Sequence, residues 1–178
     1  MSVVCRRALA VAIAGLGVAV VLAACCCLPE GASSSTPAAG LPQGETVAQM
    51  EPVTVDQGAR SAIRDSRQIV VRNAGQWAEL WAEHVAGQSP APSLPSVSFA
   101  TDMIVAVFLG ERATSGYAVS IARVEDRGDA VVVSVEVTKP SRDAFVLDVL
   151  TSPFHIVTVP RSESVDVEFV VTETEGVR

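Results

Sequence analysis

The chain has 178 residues, 49% of them hydrophobic, with 13 basic against 20 acidic side chains and a formal net charge of −7. That length suits one domain, and an acidic surface repels phosphate and anionic lipid, which argues against nucleic acid as a partner and against charge as a means of membrane attachment. Cys5, Cys25, Cys26 and Cys27 are the only cysteines, so a domain folded downstream has neither a disulfide framework nor a thiolate metal site, and no metal or cofactor is expected.

At the amino terminus, Arg6 and Arg7 precede an unbroken run of Ala, Val, Leu, Ile and Gly over residues 8–24, which has the length and small side chains of a signal-peptide core. The run ends Leu22-Ala23-Ala24-Cys25 and resembles the bacterial lipobox. In such a motif small residues fit the peptidase cleft and the cysteine thiol is the nucleophile that takes a diacylglycerol group. On this reading residues 1–24 are a lipoprotein signal peptide and Cys25 is the lipidated start of the mature chain. An uncleaved helix is the alternative, since about 20 apolar residues can span a bilayer. Acyl chains contribute roughly 0.8 kcal/mol per buried methylene, so several of them anchor a domain without a spanning segment. Arg6 and Arg7 are the only charges ahead of Cys25, and a chain starting there carries 11 basic against 20 acidic residues, a net charge of −9. The expected location is the cell envelope, facing away from the cytoplasm. In a cell with two membranes, the lack of Asp at position 26 resembles the outer-membrane sorting pattern.

Residues 28–50 are rich in Pro, Gly, Ser, Thr and Ala, too poor in apolar periodicity to repay the entropy of ordering. The expected layout is therefore a lipidated cysteine and flexible linker over 25–61 and a folded domain over 62–175. The first expected element is a strand at 67–72, carrying Ile69, Val70 and Val71. A helix follows: Asn73 is a good N-cap, Gln76 stands at the capping-box position, and Trp77, Leu80, Trp81, His84 and Val85 fall on one stripe at i, i+3, i+4, i+7 and i+8. Two tryptophans on that stripe call for a helix locked onto a sheet, with His84 as a packed or capping imidazole. Gly87 and the prolines at 90, 92 and 95 end the helix.

Beyond residue 100 the period changes from 3.6 to 2, the signature of strands. Residues 103–109 are continuously apolar and read as a central strand. Tyr117, Val119 and Ile121 alternate with Ala118, Ser120 and Ala122; Val131, Val133, Val135 and Val137 alternate with Val132, Ser134, Glu136 and Thr138; Val165, Val167, Phe169 and Val171 alternate with Asp166, Glu168 and Val170. Asp126-Arg127-Gly128-Asp129 joins the first two of these runs as a hairpin turn. Residues 154–159 supply a further strand between Pro153 and Pro160. Short connections imply antiparallel neighbours, so the expected fold is α+β: an antiparallel meander of five or six strands with one packed amphipathic helix, or alternatively a small closed barrel.

Three segments carry a family likeness: Trp77-Ala78-Glu79-Leu80-Trp81-Ala82-Glu83-His84, then Met103-Ile104-Val105-Ala106-Val107-Phe108-Leu109-Gly110-Glu111-Arg112-Ala113-Thr114-Ser115-Gly116-Tyr117, then Thr151-Ser152-Pro153-Phe154-His155-Ile156-Val157-Thr158-Val159-Pro160-Arg161. Together they resemble the PrcB C-terminal domain family over roughly residues 66–172, and Gly-Glu-Arg-x-Thr-x-Gly-Tyr is the most specific part. A proline often precedes the threonine in that family, where this chain has Ala113. The family is named for a lipoprotein subunit that accompanies a secreted chymotrypsin-like protease complex, so the resemblance implies a protease-associated accessory role.

Residues 110–117 bridge two strands, and their glycines permit backbone angles that other residues resist. They would present Glu111, Arg112, Thr114, Ser115, Gly116 and Tyr117 as a candidate binding loop, or serve only as a structural turn. His84 and His155 are the only histidines, neither in a metal or triad signature, and Ser152 lacks a nucleophile motif. In period two His155 shares a face with Val157 and Val159 and reads as packed. No enzyme is expected. The function expected is that of a membrane-tethered lipoprotein serving as a non-catalytic interaction or accessory module, with an exported protease as a candidate partner. The alternatives are a protease inhibitor using the 110–117 loop, whose Thr-Ser-Gly-Tyr resembles the Thr-Thr-Gly loop of chagasin-like inhibitors but lacks the flanking Asn-Pro and Trp, and a small-molecule or lipid-binding envelope protein.

Overall fold

The computed structural model describes residues 47–176. The signal peptide, Cys25 and most of the linker expected from the sequence lie outside the described residues. Within them run β1 (Ala48–Met50), β2 (Val53–Gly58), β3 (Arg67–Val71), α1 (Ala74–His84), β4 (Asp102–Phe108), β5 (Ala118–Asp126), β6 (Ala130–Lys139), β7 (Phe154–Pro160) and β8 (Asp166–Glu175). The strands form two four-stranded sheets, a front sheet ordered β1-β5-β6-β8 and a back sheet ordered β2-β7-β4-β3. The class is α+β, but the single meander of five or six strands and the closed barrel are both corrected.

Two features account for the difference. β1 and β2 lie inside the stretch read as linker: β1 has only three residues, and in β2 a bulge between Thr54 and Asp56 breaks the alternation that would have marked a strand. β8 lies parallel to β6, from Ala130 opposite Asp166 to Lys139 opposite Glu175, so it is no hairpin partner of β7. The chain crosses from back sheet to front sheet through 161–165, and Ser164 fastens the crossing by donating its hydroxyl to Asp126 Oδ1 and the Gly128 carbonyl, at 3.0 and 3.1 Å.

The apolar run in β4 is continuous because both of its faces are covered. Met103, Val105 and Val107 point into the core between the sheets, while Ile104, Ala106 and Phe108 point to the other side, under α1. The inter-sheet core takes Val119, Ile121 and Val124 from β5 and the odd-numbered valines from β6. A bulge between Ile121 and Arg123 lets both Ile121 and Val124 face inward, leaving Ala122 and Arg123 exposed.

α1 begins as its sequence requires, with the Gln76 amide donating to Asn73 Oδ1 at 2.9 Å. Its stripe, Trp77, Leu80, Trp81 and His84, is buried against the outer face of the back sheet. The indole N–H groups of Trp77 and Trp81 donate to the carbonyls of Pro95 and Pro92, at 3.0 and 3.3 Å, so the proline-rich connection is pinned over the helix by the same two side chains. A buried tryptophan of this kind contributes about 3–5 kcal/mol relative to alanine.

A polar clasp joins the sheets. β1 pairs with residues 124–126 of β5, so among the described residues the outer edge of β5 nearer its start has no strand beside it. The Val119 carbonyl there accepts from Gln57 Nε2 at 3.1 Å, and the Ile121 amide donates to His155 Nδ1 at 2.8 Å. Both side chains come from the back sheet. Because Nδ1 is the acceptor, the imidazole proton sits on Nε2 and is donated to Thr54 Oγ1 at 3.0 Å. Burial pushes the His155 pKa down, since the charged ring would lose its solvation and the Ile121 bond.

In the unfolded chain an imidazole takes its proton near pH 6.5, and in the fold His155 does so only at lower pH. The unfolded state therefore binds more protons between those two values, and folding stability falls with decreasing pH across that window. Urea-denaturation midpoints measured from pH 8 to pH 5 should be flat above about pH 6.5 and decline below it. His155→Gln should be less stable throughout and show a shallower decline; an unchanged slope would remove His155 as the cause.

Candidate functional site: a clamped loop and an exposed apolar segment

After β4 the chain turns at Gly110, whose φ is +78°. A Cβ at that position would lie 2.9 Å from both the Arg64 carbonyl oxygen and the Ser66 nitrogen, so only glycine fits. The next residues bond to their neighbours in turn. The Glu111 amide donates to the Arg64 carbonyl at 2.9 Å, and Arg112 exchanges backbone hydrogen bonds with Thr151 at 2.7 and 2.9 Å. The Thr114 carbonyl accepts from Thr151 Oγ1 at 3.0 Å. Ser115 takes the place of a strand residue: its amide donates to the Leu147 carbonyl at 3.0 Å, and its hydroxyl accepts from the Leu147 amide at 2.9 Å.

Gly116, at φ +91°, lies against Pro140 and Val146, and a Cβ there would come 2.9 Å from Pro140 Cβ. Tyr117 precedes β5, half-buried beside the inter-sheet core, and the Arg112 guanidinium lies 5.7 Å from its ring centroid, within cation–π range. Glu111 and Arg64 approach to 3.5 Å, but the Arg64 side chain is 75% exposed, and such a surface pair adds little. The backbone of the candidate binding loop is thus tied to the segments around it, and the charged groups of Glu111 and Arg112 also have partners, Arg64 and the Tyr117 ring.

What the loop supports is the segment 144–150, Ala-Phe-Val-Leu-Asp-Val-Leu, which has no place among the elements expected from the sequence. Val146 is half-buried toward Gly116, whereas Phe145 is 94%, Leu147 59%, Val149 46% and Leu150 64% exposed. Four large apolar side chains within six residues form a displayed patch, and contiguous patches of this kind mark interaction sites more often than scattered apolar residues do. The signal available in the sequence was an apolar heptapeptide with neither helical nor strand partners nearby.

The two histidines have structural roles. His84 is 1% exposed, with Nδ1 2.9 Å from Ser61 Oγ and Nε2 3.2 Å from Asp56 Oδ2. Its ring packs edge-on to Phe154, centroids 4.3 Å apart, and lies 5.4 Å from Trp81. Serine, histidine and aspartate thus meet, but the imidazole is sealed under aromatic rings, and Ser61 Oγ also accepts the Ile63 amide at 3.1 Å. This arrangement fastens α1 to β2 and to the turn at residue 61. Beside it a surface cleft of about 1130 Å³ opens between β2 and the proline-rich connection, lined by Asp56 and Arg60 as well as by Trp81 and Phe154.

Fold and site together define a small two-sheet α+β domain whose distinctive feature is an exposed apolar surface segment. Residues 103–160, about a third of the chain, match the family model described as PrcB C-terminal. The match runs from the second residue of β4 to the last of β7 and contains both the clamped loop and the apolar segment. It is narrower than the resemblance read from the sequence and leaves out the tryptophan stripe of α1. Neither a curated protein nor a solved structure matches the chain.

The clamp makes a definite expectation. Ser115→Ala removes the acceptor of the Leu147 amide and should cost about 1 kcal/mol while accelerating amide hydrogen exchange across 144–150. Unchanged exchange in that segment would show that the hydroxyl does not hold it.

Proposed function

We propose that the chain is an extracytoplasmic lipoprotein, attached to the membrane through Cys25, whose domain is a non-catalytic accessory module for an exported protease. The observation that carries this reading is the PrcB C-terminal match over residues 103–160, in a chain whose Leu22-Ala23-Ala24-Cys25 has the form of a lipobox. The exposed segment at 145–150 adds a physical means of holding a partner. A cell with two membranes would carry the protein on its outer membrane. The inhibitor reading has less support: a loop that wedges into a peptidase cleft needs a free backbone, and that of 112–116 is engaged by Thr151, Leu147 and Pro140.

The native product, isolated from envelope membranes in mild detergent, tests both halves of the proposal. Its intact mass should equal that of a chain starting at Cys25 plus acyl groups, and an exported peptidase should co-purify with it. An unprocessed, unacylated start would refute the anchor; a product with no peptidase would refute the accessory role.

A further inference from the structure

We propose that His155, Thr54 and Gln57 form an acid-released latch: a proton taken up at His155 Nδ1 frees the leading edge of β5 from the back sheet, while both sheets keep their own strand pairing. The device goes beyond the accessory reading and stands without it. Among the described residues two hydrogen bonds hold that edge, from the Ile121 amide to Nδ1 at 2.8 Å and from Gln57 Nε2 to the Val119 carbonyl at 3.1 Å. The first depends on a single protonation state of one ring. A protonated imidazole donates from both nitrogens, so Nδ1–H meets Ile121 N–H donor against donor. Thr54 Oγ1 can still accept from Nε2, but the Ile121 amide has lost its acceptor.

The surroundings make the latch both sensitive and local. His155 is 5% exposed, and among the described residues no charged side chain of the strands packed on it turns toward the ring. Asp56 of β2 bonds His84 on the helix side, Asp102 accepts from Thr101 at the far end of β4, and Arg123 and Glu125 of β5 pair at the surface. β7 itself carries no other ionisable group. Burial is accordingly the cause of the depressed His155 pKa, and no counter-ion waits for the new charge. β2, the edge strand that runs beside His155, is bulged between Thr54 and Asp56 and has no buried residue along its length. Elements with so few buried contacts open at small cost. β5 by contrast is bonded to β6 along its other edge, from Ala118 to Asp126, and need not move. In acid the domain therefore gains a short edge at residues 119–121 with unpaired backbone groups, the kind of edge that accepts a strand from another chain.

Residue-resolved amide hydrogen exchange on the full-length chain, expressed as protection factors, tests the latch. A free imidazole titrates near pH 6.5, so an opening that releases His155 becomes roughly five- to tenfold more frequent between about pH 7.5 and about pH 5.5. The Ile121 amide should lose protection by that factor. At both pH values it should also be less protected than the Val105 amide, which lies in the middle of the back sheet. His155→Gln offers the Ile121 amide a carbonyl acceptor that does not titrate, and in that variant the protection of Ile121 should be independent of pH. Equal protection of Ile121 and Val105 would overturn the proposal, because the edge then opens only when the whole domain unfolds. A wild-type Ile121 amide indifferent to pH would do the same, as would an undiminished fall in His155→Gln. If that variant does not fold, the wild-type comparison decides by itself.

Discussion

Two-sided burial of β4 and β7 is the constraint on which the rest of this structure depends. With no cysteine in the described residues, the domain has no covalent staple, and its stability comes from packing. β4 and β7 are neighbours in the back sheet, and each sends alternate side chains into two separate apolar layers. One layer is closed by the valine-rich front sheet and the other by the tryptophan stripe of α1. Removing either cover would leave a row of large apolar side chains in water, so sheet, sheet and helix stand or fall as a unit.

That arrangement leaves polar groups to be satisfied at the margins, and the chain does so with a few side chains placed between layers. Gln57 and His155 reach from the back sheet to the uncovered edge of β5, which both pairs the backbone and blocks the edge against foreign strands. Ser164 performs a comparable service at the hairpin between β5 and β6, where hydrogen bonds from Ser162, the Gly128 amide and Ser164 lower the Asp126 pKa. His84, Asp56 and Ser61 do the same between helix and sheet. Both histidines are therefore committed to the fold.

At the end of the domain where β5 begins and β6 ends, the segment 144–150 is the exception to economical burial. Val53 and Val165 are exposed elsewhere, but Phe145 lies almost wholly in water, and its segment is backed by Gly116 and Ser115.

The reading of separate elements from sequence depended on strong local periodicity. The helix with its Asn73 cap, the all-apolar β4, the alternating runs of β5, β6 and β8, and β7 between its two prolines were legible because each carries a local signal of its own. The sequence alone also determined the absence of cysteine chemistry from the domain, the acidic balance and the likeness to the PrcB C-terminal family. Only the tertiary structure decided that the strands divide into two sheets, that β8 lies parallel to β6, and that residues 48–58 join the domain. Pairing partners are set by contacts between residues far apart in the chain, and a three-residue strand or a bulged one carries no local signature. The loop at 110–117 and the segment at 144–150 show the same limit: whether a side chain is support or display depends on what packs behind it, and Leu147 acquires its place only when Ser115, more than thirty residues away, closes on its backbone.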